Sequence, residues 1–225
     1  MPLDRKSFEE GVVAYAREIA RRSAQEQARE QKFAQLAAKY AERQPPHFTP
    51  SELELIVAWK HTDARWRAKA LMGLRKAQES LLVGLTSNIG QIDLYQLDER
   101  FRGKIEGVGV ATVSAIITAA CPDLFSVIDD FALRAIRHHY DPGWLRSVPR
   151  DKKTQSFNPD YKNYVPYVEF CRDRADELAS VTGQQWTPRR VEMALWAIGK
   201  ELAGGQGKHG RCVAEPNTVS RGGWL

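Results

Sequence analysis

Residues 105–130, IEGVGVATVSAIITAACPDLFSVIDD, decide the fold of this chain. They join a tight glycine turn to a long apolar segment and then to two adjacent carboxylates. Such a turn can open a dinucleotide-binding fingerprint, or a helix-hairpin-helix that clamps a nucleic-acid phosphate, or it can be a helix–helix turn without a ligand. The residues around it distinguish these alternatives.

The dinucleotide fingerprint is the least favoured alternative, because its context is missing. It needs a strand before the first glycine and a third small residue, glycine or alanine, three positions after the second glycine. Here Thr112 stands at that third position. The preceding segment, LDERFRGKIE, is charged and has a helical rather than a strand pattern.

The helix-hairpin-helix fits better, since apolar residues stand where the two helices and the hairpin need them. Glycines at a hairpin allow unusual backbone angles and close approach of a phosphate, which the amides and dipole of the second helix then bind. Lys104 and Thr112 are candidates for further phosphate contacts, with solvated surface as the equal alternative for each. The expected pattern consists of Leu97 and Phe101 on the first helix, Ile105, Gly107, Val108 and Gly109 at the hairpin, and Thr112, Ala115, Ile116 and Ala119 on the second helix.

Composition is that of a globular protein, with 43% hydrophobic and 27% charged residues among 225. The chain has no apolar run of about 18 residues, which a membrane helix requires. The start, MPLDRKSFEEGVV, lacks a signal-peptide pattern, so we expect a cytoplasmic protein without a membrane partner. A formal charge of +5 suits a polyanionic partner.

Cysteine and histidine spacing argues against a metal held by side chains. Cys121, Cys171 and Cys212 are far apart and form no C-x-x-C pair, which disfavours zinc and iron–sulfur sites. His138 and His139 are adjacent, and neighbours on a helix point in different directions. No organic cofactor is expected either.

The rest of the chain predicts helices throughout and hence an all-α protein. One long helix is expected over residues 8–42; it is interpreted as a packed arm, with a partner-binding coiled coil as the alternative. Thr49, Pro50 and Glu52 form a helix start, and further helices are predicted over 64–85, 93–102, 165–182 and 188–202. The predicted organisation is an N-terminal arm (1–44), a main domain (45–202) and a flexible tail (203–225).

These motifs together resemble the helix-hairpin-helix (HhH-GPD) DNA glycosylase superfamily. The resemblance rests on the hairpin glycines, the small-residue helix, Pro122-Asp123 and the segment VIDDFALRAI (127–136), and its specific part covers 97–135. The segment RRVEMALWAIGK (189–200) looks like the closing helix of poorly characterised bacterial members. The resemblance implies a two-lobed helical fold with a cleft for double-stranded DNA.

The resemblance also implies a catalytic group, because it places Asp129 on the invariant aspartate of the family. A carboxylate there stabilises the positive charge that builds on the sugar and orients the attacking water. Asp129 can equally serve as a helix N-cap, and Asp130 is the weaker candidate. Bifunctional members carry a lysine where this chain has Ala111, so the resemblance implies a monofunctional enzyme that leaves an abasic site.

For the base pocket, the segment AWKHTDARWR offers Trp59, Lys60 and Trp66. Trp59 would stack on a flipped-out base and Lys60 would bond the base or a phosphate. The alternative is that Trp59 belongs to the core and Lys60 to a solvated basic face.

The motifs and the resemblance together imply a monofunctional DNA N-glycosylase for a damaged or modified base, acting as a monomer, either in base excision repair or in defence against modified DNA. Its expected contacts with the DNA backbone are Gly107, Val108, Gly109, Ala111, Thr112 and Lys104. Relatives hold a monovalent cation at the hairpin carbonyls, and the same is expected here. The alternative is a non-catalytic helix-hairpin-helix protein that binds DNA.

Overall fold

The computed structural model describes residues 1–206, and helices account for 69% of these residues. No strand occurs in this part of the chain, where the nearest approach to one is an isolated bridge between Arg150 and Phe157. The all-α prediction is confirmed. The α-helices of the described residues are α1 (Arg5–Ala20), α2 (Ala24–Ala34), α3 (Leu36–Ala41), α4 (Pro50–Lys60), α5 (Ala64–Lys76), α6 (Glu79–Thr86), α7 (Leu97–Phe101), α8 (Val110–Ala120), α9 (Asp130–His139), α10 (Tyr161–Thr182) and α11 (Pro188–Gln206).

The prediction of one long helix over residues 8–42 is wrong, because this segment forms α1, α2 and α3. Helix α1 ends at Ala20, and Ser23 begins α2 with a capping box. The Ser23 hydroxyl accepts from the Glu26 amide at 3.3 Å, and the Glu26 carboxylate accepts from the Ser23 amide at 3.2 Å. Such a reciprocal pair satisfies two backbone donors of a new helix start. Gln35 then divides α2 from α3.

The N-terminal segment packs on the body of the protein. Phe8, Phe33, Leu36 and Tyr40 are buried in the same apolar core as the later helices. At Gly11, α1 lies so close to α11 that an added Cβ would stand 3.0 Å from the Ala194 carbonyl oxygen. This is the packed arrangement that the sequence favoured over a projecting coiled coil.

Two further boundaries differ from the prediction. The helix expected over residues 64–85 is divided into α5 and α6 by Ala77 and Gln78, whose backbones are extended. The helix expected over 93–102 is a 3₁₀ turn, Leu94–Gln96, followed by α7. The start of α4 is as predicted, since Thr49 and Glu52 form its capping box.

Helix α8 lies at the centre of the fold. Ten of its eleven residues are buried, and most of them are small or apolar, as expected for a helix in a core. Helix α9 crosses α11 closely at Gly199, where an added Cβ would overlap the Phe131 carbonyl oxygen. Helix α11 continues to Gln206, past the predicted end at 202, and the remainder of the predicted tail lies outside the described residues. None of the described helices is both long and apolar enough to cross a membrane.

Candidate active site

The predicted hairpin lies between α7 and α8 and is packed against α5. Gly107 has a positive φ of 75°, a region that glycine enters without cost. A Cβ on Gly107 would stand 2.9 Å from Cγ of Lys69, and one on Gly73 would overlap the Glu106 carbonyl oxygen. The turn is therefore held in place by α5, and glycine is required at the contact.

The first turn of α8 has backbone donors that no group within residues 1–206 uses. Thr112 and Val113 donate to the Gly109 carbonyl oxygen, each at 3.0 Å. The amides of Gly109, Val110 and Ala111 make no hydrogen bond within residues 1–206, and no acidic residue stands in this turn. Such a helix start is suited to an anionic ligand.

The other residues expected at the DNA backbone have different surroundings. Lys104 is exposed, whereas Val108 is buried and its amide donates to Ile105. Thr112 is not a phosphate contact, because its side chain is 1% exposed and its hydroxyl pairs with His61 Nε2 at 2.8 Å. Burial, and then the nearby Lys60 charge, lower the pKa of His61 to about 4, so this imidazole is neutral at neutral pH.

Asp129 is the N-cap of α9, and its two carboxylate oxygens have different partners. Oδ1 accepts from the Phe131 amide at 3.0 Å, which confirms the capping role. Oδ2 accepts from Nζ of Lys60 at 2.8 Å. The Asp129 side chain remains 26% exposed, so part of it faces solvent.

The segment that leads into Asp129 is fixed by hydrogen bonds from three other helices. The hydroxyls of Tyr164 and Tyr167 donate to the carbonyl oxygens of residues 126 and 127, at 2.8 and 2.9 Å. Nζ of Lys60 donates to the Ile128 carbonyl oxygen, and the Ser114 hydroxyl accepts from the Ile128 amide, each at 3.1 Å. The position of the carboxylate is therefore set by the core.

The charge state of Asp129 follows from competing effects. Burial alone would raise its pKa, but the Lys60 charge and hydrogen bond, helped by the Phe131 amide, hold the pKa below the ordinary value. A negative charge thus persists at this position through the neutral pH range.

Lys60 does not belong to a solvated basic face, because its side chain is only 9% exposed. It lies at the end of α4, and the next residue, His61, bonds the first turn of α8. Two consecutive residues therefore connect Asp129 with the hairpin helix. The Asp129 carboxylate and the first turn of α8 therefore both lie next to the end of α4.

Trp59 has its indole ring covered by the N-terminal segment. Its ring stacks on Phe33 with 3.8 Å between centroids and 15° between planes. Its Nε1 donates to Glu30 at 2.6 Å, and the Arg189 guanidinium lies 5.1 Å from the ring centroid. One face of the expected base-stacking surface is already occupied.

Trp66 is 58% exposed near the start of α5. It lies on the helix face that carries Lys69 and Gly73, the residues that contact the hairpin. Within the described residues, no hydrogen bond or ring contact joins Trp66 to Trp59, Lys60 or Asp129. The expected pocket residues are thus divided between two places.

A buried polar network near Asp129 was not predicted from the sequence. Arg189 pairs with Glu192 and donates to the Tyr15 hydroxyl at 3.0 Å and to Glu30 at 3.5 Å. Burial raises the pKa of Glu192 to about 7 although Arg189 opposes the shift. An arginine and a glutamate three residues apart on the apolar helix α11 were the available signal.

Asp130 has a structural role. Its carboxylate pairs with Arg134 at 2.8 Å and accepts from the Phe157 amide at 2.7 Å. It therefore ties α9 to the loop between α9 and α10. This agrees with the choice of Asp129 over Asp130.

A groove of about 1380 Å³ runs along α1, α9 and α11, and Asp129 is not among its lining residues. Nor does the described part of the chain contain a cluster of three or more His, Cys, Asp or Glu side chains suited to a metal ion.

In comparisons with known proteins, the sequence matched no protein-family model, no curated protein and no solved structure.

Proposed function

We propose that this chain is a DNA N-glycosylase that hydrolyses the bond between a flipped-out, damaged or modified base and its sugar. The observation that carries the proposal is the connection made by Lys60 and His61. It sets an ionised, partly exposed carboxylate, Asp129, beside a helix start whose amides are unused within the described residues. A phosphate clamp next to a fixed negative charge is what this chemistry requires.

In the proposed reaction, the amides of Gly109, Val110 and Ala111 bind one phosphate of double-stranded DNA, which sets the register without reading the sequence. The target nucleotide turns out of the stack. As the glycosidic bond lengthens, positive charge grows at C1′, and the Asp129 carboxylate stabilises it and orients the attacking water. Ala111 offers no amine at the hairpin, so water attacks C1′ and replaces the departing nucleobase.

The finer expectations of the sequence belong to this proposal. They are a two-lobed helix-hairpin-helix glycosylase arrangement, a monomer, a cytoplasmic location and a monovalent cation at the hairpin carbonyls. The capping role of Asp129 is compatible with catalysis, since the cap uses Oδ1 and leaves Oδ2 to a side-chain partner.

A non-catalytic DNA-binding protein is the second candidate, and one observation favours it. Phe33 stacks on Trp59, the aromatic residue expected to receive a flipped base. In this alternative the hairpin holds the backbone of the duplex, and the Lys60–Asp129 pair is a structural bridge between helices.

Excision assays with an isosteric variant separate the two candidates. Parent protein and Asp129→Asn are incubated with duplexes that carry alkylated, deaminated, oxidised or hypermodified bases, and alkali then reveals abasic sites. Asparagine is as good an N-cap as aspartate, so the cap of α9 is retained, whereas Lys60 loses its charged partner. We expect the parent to release one of these base classes and the variant to be slower by about 10²-fold or more, with unchanged duplex affinity.

The contrary result is equally clear. If the parent releases none of these bases and binds duplex DNA as tightly as Asp129→Asn does, the protein is a binding module. If neither protein binds duplex DNA, both candidates are wrong.

A further inference from the structure

The groove along α1, α9 and α11 takes no part in the proposed reaction, since Asp129 is not among its lining residues. Its volume of about 1380 Å³ exceeds the range of roughly 300–1,000 Å³ that is usual for small-molecule pockets. Along α1 the groove extends from Ser7 to Arg17, which is about 15 Å of helix. A site of this size and shape suits a peptide segment better than a small molecule.

Part of the groove surface is apolar and open to solvent. Val13 of α1 is 47% exposed. Leu3, Ile198 and Leu202 also line the groove and are only partly buried. Exposed apolar surface with a rim of polar residues is typical of interaction sites on soluble proteins.

The wall of the groove formed by α9 is basic. No carboxylate is among the described lining residues from α9 and the loop that follows it, and the basic groups there are Arg134, Arg137, His138, His139 and Arg150. Arg134 and Arg137 already have carboxylate partners in Asp130 and Asp141, whereas Arg150 makes no ion pair within residues 1–206. An occupant of the groove should therefore present acidic groups to this wall.

The opposite wall, formed by α1, carries both signs of charge. Glu9 and Glu10 lie there and pair with Arg5 and Lys6 of the same helix. Arg17, further along α1, makes no ion pair among the described residues. The two walls thus differ in charge, which can fix the orientation of a bound segment.

A nucleic-acid strand matches this groove less well than a peptide does. Its phosphates would meet the carboxylates of Glu9, Glu10 and Glu201. Grooves for single strands also provide aromatic side chains on which the bases stack. Phe, Tyr and Trp are absent from the lining residues that the structure describes.

We propose that the groove binds an amphipathic helix of a partner protein. The apolar stripe of this helix lies on Val13, Ile198 and Leu202, and its acidic flank faces α9. About ten residues, or three turns, match the length of the groove along α1. Apolar side chains recur at i, i+3, i+4 and i+7 in such a helix, as in other helix-in-groove complexes. Arg17 and Arg150 are available to the carboxylates of the partner.

A displayed peptide library supplies the probe, because the partner is not identified. Random peptides of about 16 residues, long enough for the proposed helix, are selected on the immobilised full chain. We expect the enriched peptides to share the apolar spacing and an acidic flank. The best of them, synthesised with a fluorophore, should bind in an anisotropy titration with a micromolar Kd. A scrambled peptide of the same composition and a peptide with lysine in place of each acidic residue should not bind.

Variants of the groove locate the binding site. Arg17→Glu and Val13→Asp should each weaken binding of the selected peptide by about tenfold or more. Both positions are exposed, and thermal unfolding checks that the variants are folded. Lys39→Glu, at an exposed position on α3, and Val181→Asp, at a position of α10 that is 58% exposed, are the matched controls and should leave the Kd unchanged.

The contrary outcomes are specific. The proposal is overturned if acidic amphipathic peptides are not enriched, or if the groove variants bind them as tightly as the parent does. A DNA oligonucleotide that displaces the peptide and binds Arg17→Glu more weakly would assign the groove to nucleic acid instead. A concentration-dependent dimer that Val13→Asp dissociates would assign it to a second copy of this chain. These results do not depend on base release, which is measured at Asp129.

Discussion

Nζ of Lys60 lies 2.8 Å from Oδ2 of Asp129, across 69 positions of sequence, and joins the end of α4 to the start of α9. This ion pair decides the charge of the carboxylate. Burial favours the protonated form, whereas the Lys60 charge favours the ionised form and prevails. A change at Lys60 should therefore alter the pH range in which Asp129 can act.

Lys60→Gln should move the acid limb of base release to higher pH. In the parent the pKa of Asp129 is below its ordinary value, so the carboxylate is ionised above about pH 4. Without Lys60, burial dominates and the pKa rises. Single-turnover rates of base release between pH 4 and 8 measure this shift. Lys39→Gln, at an exposed position on α3, is the control, and an unmoved acid limb in Lys60→Gln would show that the ion pair does not set the charge.

Two helical glycines should respond oppositely to alanine. At Gly84 an added Cβ meets nothing within 4 Å, so Gly84→Ala should stabilise the protein by up to about 1 kcal/mol through helix propensity. At Gly73 the Cβ would overlap the Glu106 carbonyl oxygen, so Gly73→Ala should destabilise by about 1–3 kcal/mol. Urea unfolding of the two variants measures the difference. Equal stabilities would mean that α5 does not hold the hairpin as described.

Much of this architecture was readable from local sequence. Short-range patterns include the glycine pair, the small and apolar residues of α8, the capping residues of α4 and the Asp129 cap. The structure has each of them. The Ser23 capping box was also written in the sequence, but the long helical periodicity concealed it.

The parts of the site that the sequence did not predict depend on contacts between residues far apart in the chain. Phe33 covers Trp59, and Arg189 joins Glu30 to Glu192, through packing of α2, α4 and α11 against one another. No spacing along the chain encodes such contacts. For the same reason the sequence predicts Lys60 and Asp129 as separate site residues, and their ion pair is seen only in the structure.

Arg189 should be required for the stability of the buried network. Arg189→Met leaves Glu192 and Glu30 without their common cation, and the loss of one partner of a buried pair costs about 3–5 kcal/mol. The double variant Arg189→Met with Glu192→Met removes the orphaned Glu192 carboxylate and should recover part of this loss. Thermal and urea unfolding provide the comparison. A double variant less stable than the single one would contradict this account.

His61 should make the protein less stable in mild acid. Its pKa is about 4 in the folded protein and about 6.5 in the unfolded chain, so the unfolded state binds more protons between these values. Stability from this residue is complete above about pH 6.5 and is lost as the pH falls towards 4. In His61→Gln this part of the pH dependence should vanish. Unfolding free energies at pH 5 and pH 8 measure it, and an unchanged difference in the variant would contradict it.

Lys104 should contribute to DNA affinity as an exposed charge. Replacement by alanine should weaken binding about equally for all sequences and reduce the slope of log K against log salt by about 1. Fluorescence anisotropy at several salt concentrations gives the slope. Lys39→Ala, at an exposed position on α3, is the charge-matched control. A flat salt dependence in the parent would contradict DNA binding through phosphates.

The hydrogen bonds that fix residues 126–128 come from α4, α8 and α10, and each donor or acceptor is a core or near-core side chain. Core residues therefore fix the position of the Asp129 carboxylate, and different, exposed residues are available to contact a ligand. Substitutions at exposed positions such as Trp66 can change ligand preference while the carboxylate keeps its place. Under the proposed function, directed evolution of base preference can accordingly be confined to surface positions, with the tyrosines of α10 left untouched.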